Sequence, residues 1–210
     1  MFSFWLLVAF AAAYLLGSVS FAVLIARRRG VDIFKAGSGN PGATNVKRVL
    51  GSRAGNLVFF LDFLKGFIAA VWPMAAHHFD LIPVASPWLG IAGLVGAVLG
   101  HSFSIFLRFR GGKGVATSIG GLMALMPLVT LGALLVWVAV FLTTRYVSVA
   151  SIAFGLTLMP LAAMLGQPHE LVGLSFVLAL YIIVRHRANL RRLMNGTENK
   201  FERKNPTAKK

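Results

Sequence analysis

The chain has 210 residues, of which 57% are hydrophobic and only six are acidic, and its mean hydropathy is +0.77. Too little polar sequence exists to cover a soluble domain of this size, so we predict an all-α integral membrane protein. The formal net charge is +15, but the lysines and arginines lie between apolar stretches, which argues against nucleic-acid binding. The absence of cysteine excludes disulfide bonds and thiol catalysis.

Apolar stretches predict seven transmembrane helices. The first lacks a charged leader and a cleavage site, so we expect it to be retained as a span. Residues 114–144 would form a helix about 46 Å long, which exceeds a hydrocarbon core of about 30 Å, and Pro127 is the natural break. The predicted spans are 2–26, 56–76, 83–103, 115–126, 128–143, 147–165 and 171–184.

The distribution of charge predicts how these helices are oriented. Loops on the cytoplasmic side of a membrane carry most lysines and arginines. Apart from Lys65, which lies within a span, all of them fall on one set of alternate loops and on the C-terminal segment, and the other set carries none. We therefore expect the N-terminus outside, the C-terminus in the cytoplasm and the active site on the cytoplasmic side.

The longest interruption of the apolar sequence is the glycine-rich stretch 37–45, followed by Lys47 and Arg48. Three glycines and one proline in nine residues argue against a regular helix, so we expect a loop that runs to about Arg53. Free backbone N–H groups beside two cations suit an anion, although an ordinary polar loop is the alternative. The candidate phosphate-binding residues here are Gly37, Gly39, Asn40, Thr44 and Asn45.

Two charged residues, Asp62 and Lys65, lie within the second predicted span. Each charge costs about 2.5–3.5 kcal/mol at the centre of a membrane. Because residues three apart share one helix face, we predict an ion pair that faces the protein interior. A functional role for such an intramembrane pair stays open beside the structural one.

A second segment with anion-binding character, 108–114, leads directly into the short fourth span. Glycines before a helix provide backbone donors at the positive end of the helix dipole, and Lys113 adds a charge. It is not a Walker A loop, because Arg108 stands where the first glycine would be. We expect the backbone of Gly112 to approach a phosphate. The candidate phosphate-binding glycines are Gly111, Gly112 and Gly114.

A third polar segment, 186–193, follows the last predicted span. At helical spacing His186 and Asn189 share one face, while Leu190 and Leu193 can lie against the bilayer surface. A basic interfacial anchor is the alternative to a functional site. Histidine beside asparagine favours the site, because neither residue is needed for adhesion to lipid.

Together these segments resemble the bacterial acyl-phosphate:glycerol-3-phosphate acyltransferases, the PlsY family. The resemblance covers all but the last few residues, and it differs at Ser104, where proline is expected, and at Arg110, where lysine is common. The matching segments are 37–48 (GSGNPGATNVKR), 62–66 (DFLKG), 101–120 (HSFSIFLRFRGGKGVATSIG) and 186–198 (HRANLRRLMNGTE).

The resemblance implies a seven-span enzyme of the bacterial cytoplasmic (inner) membrane, in phospholipid biosynthesis. It would transfer a fatty acyl group from acyl phosphate to the 1-hydroxyl of sn-glycerol 3-phosphate, giving lysophosphatidate and phosphate. Residues 1–198 would form the acyltransferase domain, and 199–210 a basic, disordered tail. The implied partners are both substrates, the lipid bilayer and the soluble enzyme that makes acyl phosphate. The implied catalytic residues are Ser38, Arg48, Lys113, His186 and Asn189, with Asp62, Lys65, His101 and Glu198 in supporting roles.

The chemistry of the residues agrees with this function. An acyl phosphate is already activated, so the site needs phosphate clamps, a proton acceptor, oxyanion donors and an apolar groove, but no covalent acyl-enzyme. Ser38 lacks the Gly-x-Ser-x-Gly context of hydrolases, and neither a metal nor another cofactor is predicted. We expect His186 chiefly to position the acceptor while substrate phosphate shares the role of base. A transporter for a phosphorylated anion and a lipid phosphatase are the alternatives.

Overall fold

The computed structural model describes residues 1–83 and 86–201, and in this part of the chain it contains ten α-helices and one 3-10 turn, Ile105–Leu107. The α-helices are α1 (Phe2–Ser18), α2 (Phe21–Arg27), α3 (Ala43–Leu50), α4 (Ser52–His78), α5 (Pro87–Ser102), α6 (Val115–Leu125), α7 (Pro127–Thr144), α8 (Val147–Met164), α9 (His169–Arg185) and α10 (Arg187–Met194). A helix occupies each of the seven predicted spans, with α1 and α2 sharing the first.

Not every one of these helices is long enough to cross a bilayer. Among the described residues, four helices have the length and apolar composition: α1 continued by α2, α4, α7 and α8. A fifth is added if α9 and α10, which meet at a bend of 54°, count as one span. Helices α5 and α6 are apolar but shorter. The chain is therefore an integral membrane protein, and the count of seven spans stays a prediction.

The first predicted span is broken between α1 and α2. Ser20 caps α2 through its Oγ, and the break leaves two carbonyl groups without helical partners. The Ser18 carbonyl accepts a hydrogen bond from Ser104 Oγ at 2.6 Å, and the Val19 carbonyl accepts one from Lys65 Nζ at 2.9 Å. The predicted first span is confirmed as the candidate span Phe2–Arg27, but it consists of two helices, and the break between them supplies acceptors for buried donors.

The predicted break at Pro127 is confirmed. Helix α6 ends at Leu125, and Pro127 occupies the first turn of α7, where its missing N–H is not needed. With 11 residues, α6 is about 16 Å long. The helix that carries Lys113 at its N-terminal end is therefore roughly half a bilayer long.

Helix α3 lies inside the segment that was expected to be a loop. The glycine-rich conformation ends at Gly42, which caps α3, and the following residues are amphipathic. Val46 is buried against α2 and α4 together with Val58 of α4. The prediction of a loop to about Arg53 is wrong because burial of this apolar face stabilises a helix once the glycines have been passed.

Glycines allow the helices to approach closely. A Cβ atom at Gly66 of α4 would collide with the Thr117 carbonyl of α6, and one at Gly120 of α6 would collide with the Phe63 carbonyl of α4. Such small-residue contacts drive helix association in membranes, where lipid removes the hydrophobic advantage of burying leucine. The short helix α6 is thus held against α4 by direct backbone contact.

Candidate active site

A cavity of about 580 Å³ lies among α3, α4, α6, α7, α8 and the start of α10, and we call it the main cavity because the three predicted polar segments meet in it. Its polar lining includes Ser38, Asn40, Thr44, Asn45, Arg48, Asp62, His101, Lys113, Gly114, His186, Asn189 and Glu198. Its apolar lining includes Phe59, Ile119, Leu134, Trp137, Val138 and Phe141. One cavity therefore joins a cationic polar region to an apolar region that suits a hydrocarbon chain.

Three predicted segments, distant in sequence, meet in this cavity. The described residues Gly37, Gly39, Gly111, Gly112 and Lys65 were also predicted for the site, but they do not line it. Gly37 and Gly39 have φ values of 59° and 69°, so their role is to permit the turn. Neighbours of these glycines in the sequence, such as Ser38 and Lys113, line the cavity. The glycines shape the loops that place those neighbours there.

Lys113 is held by a chain of hydrogen bonds that begins at Glu198. Asn189 Oδ1 accepts from Lys113 Nζ, and Asn189 Nδ2 donates to Glu198 Oε1 at 2.6 Å. The Glu198 carboxylate also accepts from Ser148 Oγ at 2.9 Å and from Arg192 Nε at 2.8 Å. Glu198 therefore orients the Asn189 amide so that its oxygen faces the lysine.

Burial shifts the pKa values of the charged groups in this series of hydrogen bonds. It lowers the pKa of Lys113 to about 8, although the nearby Glu198 opposes the effect. Burial alone would raise the pKa of Glu198, but hydrogen bonds from Asn189, Arg192 and other donors hold it below its usual value. At neutral pH the pair is thus a carboxylate and a mostly protonated ammonium, joined through a neutral amide.

His186 is buried at the junction of α9 and α10, and it lines the cavity. Its Nδ1 lies 2.8 Å from the Ile182 carbonyl, which can only accept, so Nδ1 carries the proton and Nε2 is free to accept. Burial and the charge of Lys113 lower its pKa to about 4. His186 is therefore a neutral hydrogen-bond acceptor at physiological pH and a weak base.

Asn45 organises the glycine-rich loop. Its Oδ1 accepts from the Ser38 backbone N–H at 2.8 Å, and its Nδ2 donates to the Ala36 carbonyl at 2.9 Å. These bonds occupy its polar atoms, so although Asn45 lines the cavity, they favour a structural role, and its role in binding phosphate stays a prediction. The Ser38 N–H is likewise used internally. The Ser38 side chain nevertheless lines the cavity.

The loop before α6 rests on the end of α5. A Cβ at Gly112 would overlap the His101 imidazole, and the Gly112 N–H donates to the His101 carbonyl at 3.1 Å. Arg185 donates to the Gly112 carbonyl at 2.7 Å. The expectation that Gly112 approaches a phosphate stays a prediction, and the structure does not favour it, because the open side of Gly112 is filled by His101. Gly112 is required for packing that positions Lys113.

The predicted ion pair within α4 is confirmed. Lys65 Nζ lies 2.8 Å from Asp62 Oδ1, both side chains are almost fully buried, and His101 Nδ1 lies 3.5 Å from the same oxygen. Lys65 Nζ also donates to the Val19 carbonyl at the break between α1 and α2. Since His101 packs on Gly112, the buried pair also supports the loop that carries Lys113.

The segment 108–114 does not form one anion-binding nest. Lys113 lines the main cavity, whereas Arg108 and Arg110 line a second, separate cavity. Arg108 and Phe109 both have left-handed backbone conformations, with φ of 53° and 59°, and this turn separates the two halves. The sequence could not show the division, because adjacent cations in a polar loop have no preferred side.

Residues 199–201, the start of the predicted tail, lie against the domain. The Asn199 carbonyl accepts from Arg48 at 3.3 Å, and the Arg48 guanidinium lies 5.0 Å from the centre of the Phe201 ring. The Phe201 N–H donates to the Arg145 carbonyl at 3.0 Å. We call 198–201 the C-terminal strap. The rest of the predicted tail, 202–210, lies outside the described residues.

Several residues around the cavity were not predicted from the sequence. Ser148 and Ser151 are three apart in the mostly apolar α8, and that spacing was an available signal. Trp137, which lines the apolar region and donates to Ser151 Oγ at 3.4 Å, had no signal beyond its size. Arg192 could not be distinguished by pattern from the other basic residues near it in the sequence. Such pairings depend on where distant helices meet.

Comparison with known proteins identifies the family of the chain. The family described as glycerol-3-phosphate acyltransferase matches residues 7–196. A glycerol-3-phosphate acyltransferase of Aquifex aeolicus (strain VF5) is 46% identical over 189 residues, which cover 90% of this chain and 95% of the relative. One from Thermus thermophilus is 48% identical over 190 residues, covering 90% of this chain and 92% of the relative.

Two crystal structures of PlsY (YgiH), an integral membrane glycerol 3-phosphate acyltransferase, have the same fold. Its glycerol 3-phosphate form aligns with a TM-score of 0.85 at 44% identity over 94% of this chain and 96% of that one. Its lysophosphatidic acid form aligns with a TM-score of 0.83 at 44% identity over 94% and 95%. Apolar helices and bacterial relatives identify a multi-pass protein of the bacterial inner membrane. The chain belongs to the glycerol-3-phosphate acyltransferase family of integral membrane enzymes.

Proposed function

We propose that the enzyme transfers a fatty acyl group from acyl phosphate to the 1-hydroxyl of sn-glycerol 3-phosphate, without a covalent acyl-enzyme. One observation carries this proposal. A single cavity joins Arg48 and Lys113, which suit phosphate groups, to apolar side chains that suit an acyl chain. Both substrates carry phosphate, one carries a hydrocarbon chain, and the cavity provides for each part.

The proposed reaction is a direct substitution at the acyl carbon. The 1-hydroxyl oxygen forms the new ester bond, and the bond from the acyl carbon to the phosphate oxygen breaks. Inorganic phosphate leaves with the electron pair of that bond, and the hydroxyl proton is transferred to a phosphate oxygen. The products are lysophosphatidate and phosphate, and no external oxidant, reductant or metal is needed for the balance.

Each polar residue has a proposed role in this step. Lys113 neutralises a substrate phosphate, and Arg48 with Ser38 binds the phosphate or the carbonyl oxygen of the donor. His186 accepts a hydrogen bond from the acceptor hydroxyl at Nε2 and orients it toward the acyl carbon. Asn189 contributes by holding Lys113 in place. Support comes from their common position around the cavity.

The absence of an acyl-enzyme is proposed from the surroundings of Ser38. Within the described residues, no histidine or carboxylate is hydrogen-bonded to Ser38 Oγ, so no base activates it as a nucleophile. An acyl phosphate has phosphate as its leaving group and needs no prior transfer to serine. A step through Ser38 would add a barrier without removing one.

For the membrane arrangement we propose seven spans, with the N-terminus outside and the C-terminus and active site on the cytoplasmic side. The charge distribution and the position of Lys113 at the start of the short α6 support it. In this orientation a soluble acceptor enters from the cytoplasm. A soluble enzyme that makes acyl phosphate is the proposed partner on that side.

The test uses the purified full chain in detergent with radiolabelled glycerol 3-phosphate. Palmitoyl phosphate should give labelled lysophosphatidate and equimolar phosphate, whereas palmitoyl-CoA should give no product above background. Product from palmitoyl-CoA at a comparable rate would overturn the proposed donor. Phosphate release without acceptor would indicate a phosphatase, and no release under any condition would favour a transporter.

The acyl-enzyme is tested separately in the same preparation. Acid quench after mixing with palmitoyl phosphate alone, followed by mass spectrometry, should show no acylated peptide containing Ser38. Accumulation of that adduct, with transfer to glycerol 3-phosphate when it is added, would overturn the direct mechanism. The Ser38→Ala variant is the matched control for non-specific acylation.

A further inference from the structure

A second cavity of about 640 Å³ lies between the end of α2 and the loop that follows α5. Its lining is Val23, Arg27, 30–35, Phe106, Leu107, Arg108 and Arg110. It shares none of the residues that line the main cavity. The acyl-transfer reaction proposed above uses no part of it.

The lining is strongly cationic. The lining contains one carboxylate, Asp32, and four cations: Arg27, Lys35, Arg108 and Arg110. In residues 1–83 and 86–201, none of the four cations lies within ion-pair distance of a carboxylate. Asp32 Oδ1 instead accepts from the Phe34 N–H at 3.0 Å. The cavity therefore has an excess of positive charge that the described part of the chain does not neutralise.

The basic loop is held in a defined conformation. Arg108 and Phe109 adopt left-handed backbone angles, which are unfavourable for such side chains. Two hydrogen bonds hold the turn: the Phe109 N–H donates to the Ser104 carbonyl at 2.8 Å, and the Ser104 hydroxyl donates to the Ser18 carbonyl. The Arg110 guanidinium lies 4.3 Å from the centre of the Phe34 ring. This rigid support directs two arginines into one cavity.

In the proposed orientation the cavity lies at the cytoplasmic ends of the apolar helices α2 and α5, where hydrocarbon gives way to water. Large apolar side chains on the same loop are exposed: Phe103, Ile105, Phe106 and Phe109. Phe106 and Phe109 are the most exposed of these, at 63% and 64%. Exposed apolar groups beside cations are typical of a surface that contacts a membrane.

We propose that this second cavity binds the phosphate headgroup of an anionic phospholipid. The arginines provide paired N–H donors for phosphate oxygens, and the exposed phenylalanines contact the acyl chains next to the headgroup. Basic pockets between transmembrane helices recognise lipid headgroups in this way. The bound lipid joins α2 to the loop 103–114, whose other end carries Lys113.

The test compares lipid binding by matched charge variants of the full chain. Arg108→Gln with Arg110→Gln removes two cations from the cavity. Arg28→Gln with Arg29→Gln removes two exposed cations that do not line it. Both preparations are titrated with phosphatidylglycerol in a neutral detergent and followed by native mass spectrometry. We expect the first pair to weaken binding at least about fivefold and the second to change it less than about twofold.

Three results would overturn the proposal. Equal loss in both double variants would indicate attraction to general surface charge, and equal binding of phosphatidylcholine would exclude selection of anionic lipid. Displacement of the lipid by millimolar inorganic phosphate would identify a site for soluble phosphate instead. Arg27→Gln with Lys35→Gln provides an independent pair should the first fail to fold, and it must also weaken binding.

Discussion

At the scale of single residues, Lys113 provides the positive charge that is proposed to bind a substrate phosphate. Lys113→Ala removes this proposed charge-assisted hydrogen bond, which contributes about 1.5–3 kcal/mol. We expect kcat/KM for glycerol 3-phosphate or acyl phosphate to fall at least about tenfold. Steady-state kinetics on the folded variant provide the measurement, and Arg28→Ala, at an exposed cation that lines neither cavity, is the control.

The lowered pKa of Lys113 also predicts a pH dependence. With a pKa of about 8, the ammonium is charged below that pH and is neutralised as the pH rises through it. Because kcat/KM reports the free enzyme, it should decline on the alkaline side near pH 8 in the wild type. The decline should be absent in Lys113→Ala. A decline of the same size and midpoint in that variant would assign it to another group.

His186 has too low a pKa to be the stronger base. Its pKa is about 4, whereas a phosphate monoester has a second pKa of about 6, so substrate phosphate attracts the proton more strongly. His186→Gln keeps a hydrogen-bond acceptor and removes the basic nitrogen. We expect it to retain a tenth or more of kcat, with an unchanged acid-side profile because that profile belongs to the substrate. A loss beyond about a thousandfold would identify His186 as the general base.

At the scale of helices, contact between α4 and α6 depends on glycine. Gly120→Ala places a methyl group against the Phe63 carbonyl, and the two helices must separate. Such overpacking costs about 1–3 kcal/mol, and it shifts the helix that carries Lys113. We expect a lower thermal midpoint in detergent together with lower kcat.

The matched control for this substitution is Gly173→Ala. Gly173 lies within α9, and a Cβ atom added there would have no heavy atom within 4 Å, so alanine should leave the thermal midpoint unchanged or raise it. Equal destabilisation by the two substitutions would show that backbone propensity, and not contact with α4, sets the effect at Gly120.

Elements with a single strong local cause were predictable from sequence. Pro127 breaks the long apolar run, and three-residue spacing pairs Asp62 with Lys65, as the structure confirms. The break at Val19 was not predictable, because its stabilisation comes from Lys65 in a helix far along the chain. Helix α3 was missed because glycine density in the first half of the segment obscured an amphipathic second half.

At the scale of the whole molecule, the proposed orientation makes a direct prediction. The chain has no cysteine, so single introduced cysteines report their own position. His169→Cys, at a side chain that is 94% exposed at the start of α9, should react with an impermeant maleimide in intact spheroplasts. Arg28→Cys should react only after the membrane is opened. The reverse pattern would invert the proposed topology.

The candidate site could be predicted as a set of residues but not as an arrangement. Ser38, Arg48, Lys113, His186 and Asn189 all line one cavity, as the three polar segments indicated. The sequence did not show which atoms would be free. The Asn189 side chain lies between a lysine and a carboxylate, because the chain folds back after α10 and places Glu198 beside the start of that helix. Contacts between residues brought together in this way depend on tertiary packing, which local sequence patterns do not encode.

The C-terminal strap determines when the candidate site is completed during biosynthesis. Lys113 is oriented through Asn189 by Glu198, and Arg48 contacts Asn199 and Phe201. Because the chain is made from its N-terminus, all ten described helices are synthesised before Glu198. The lysine that is proposed to bind phosphate therefore acquires its orienting partner only after the helices that surround the cavity have been made. A released chain truncated after Thr197 should insert into the membrane yet show lower activity than the full chain.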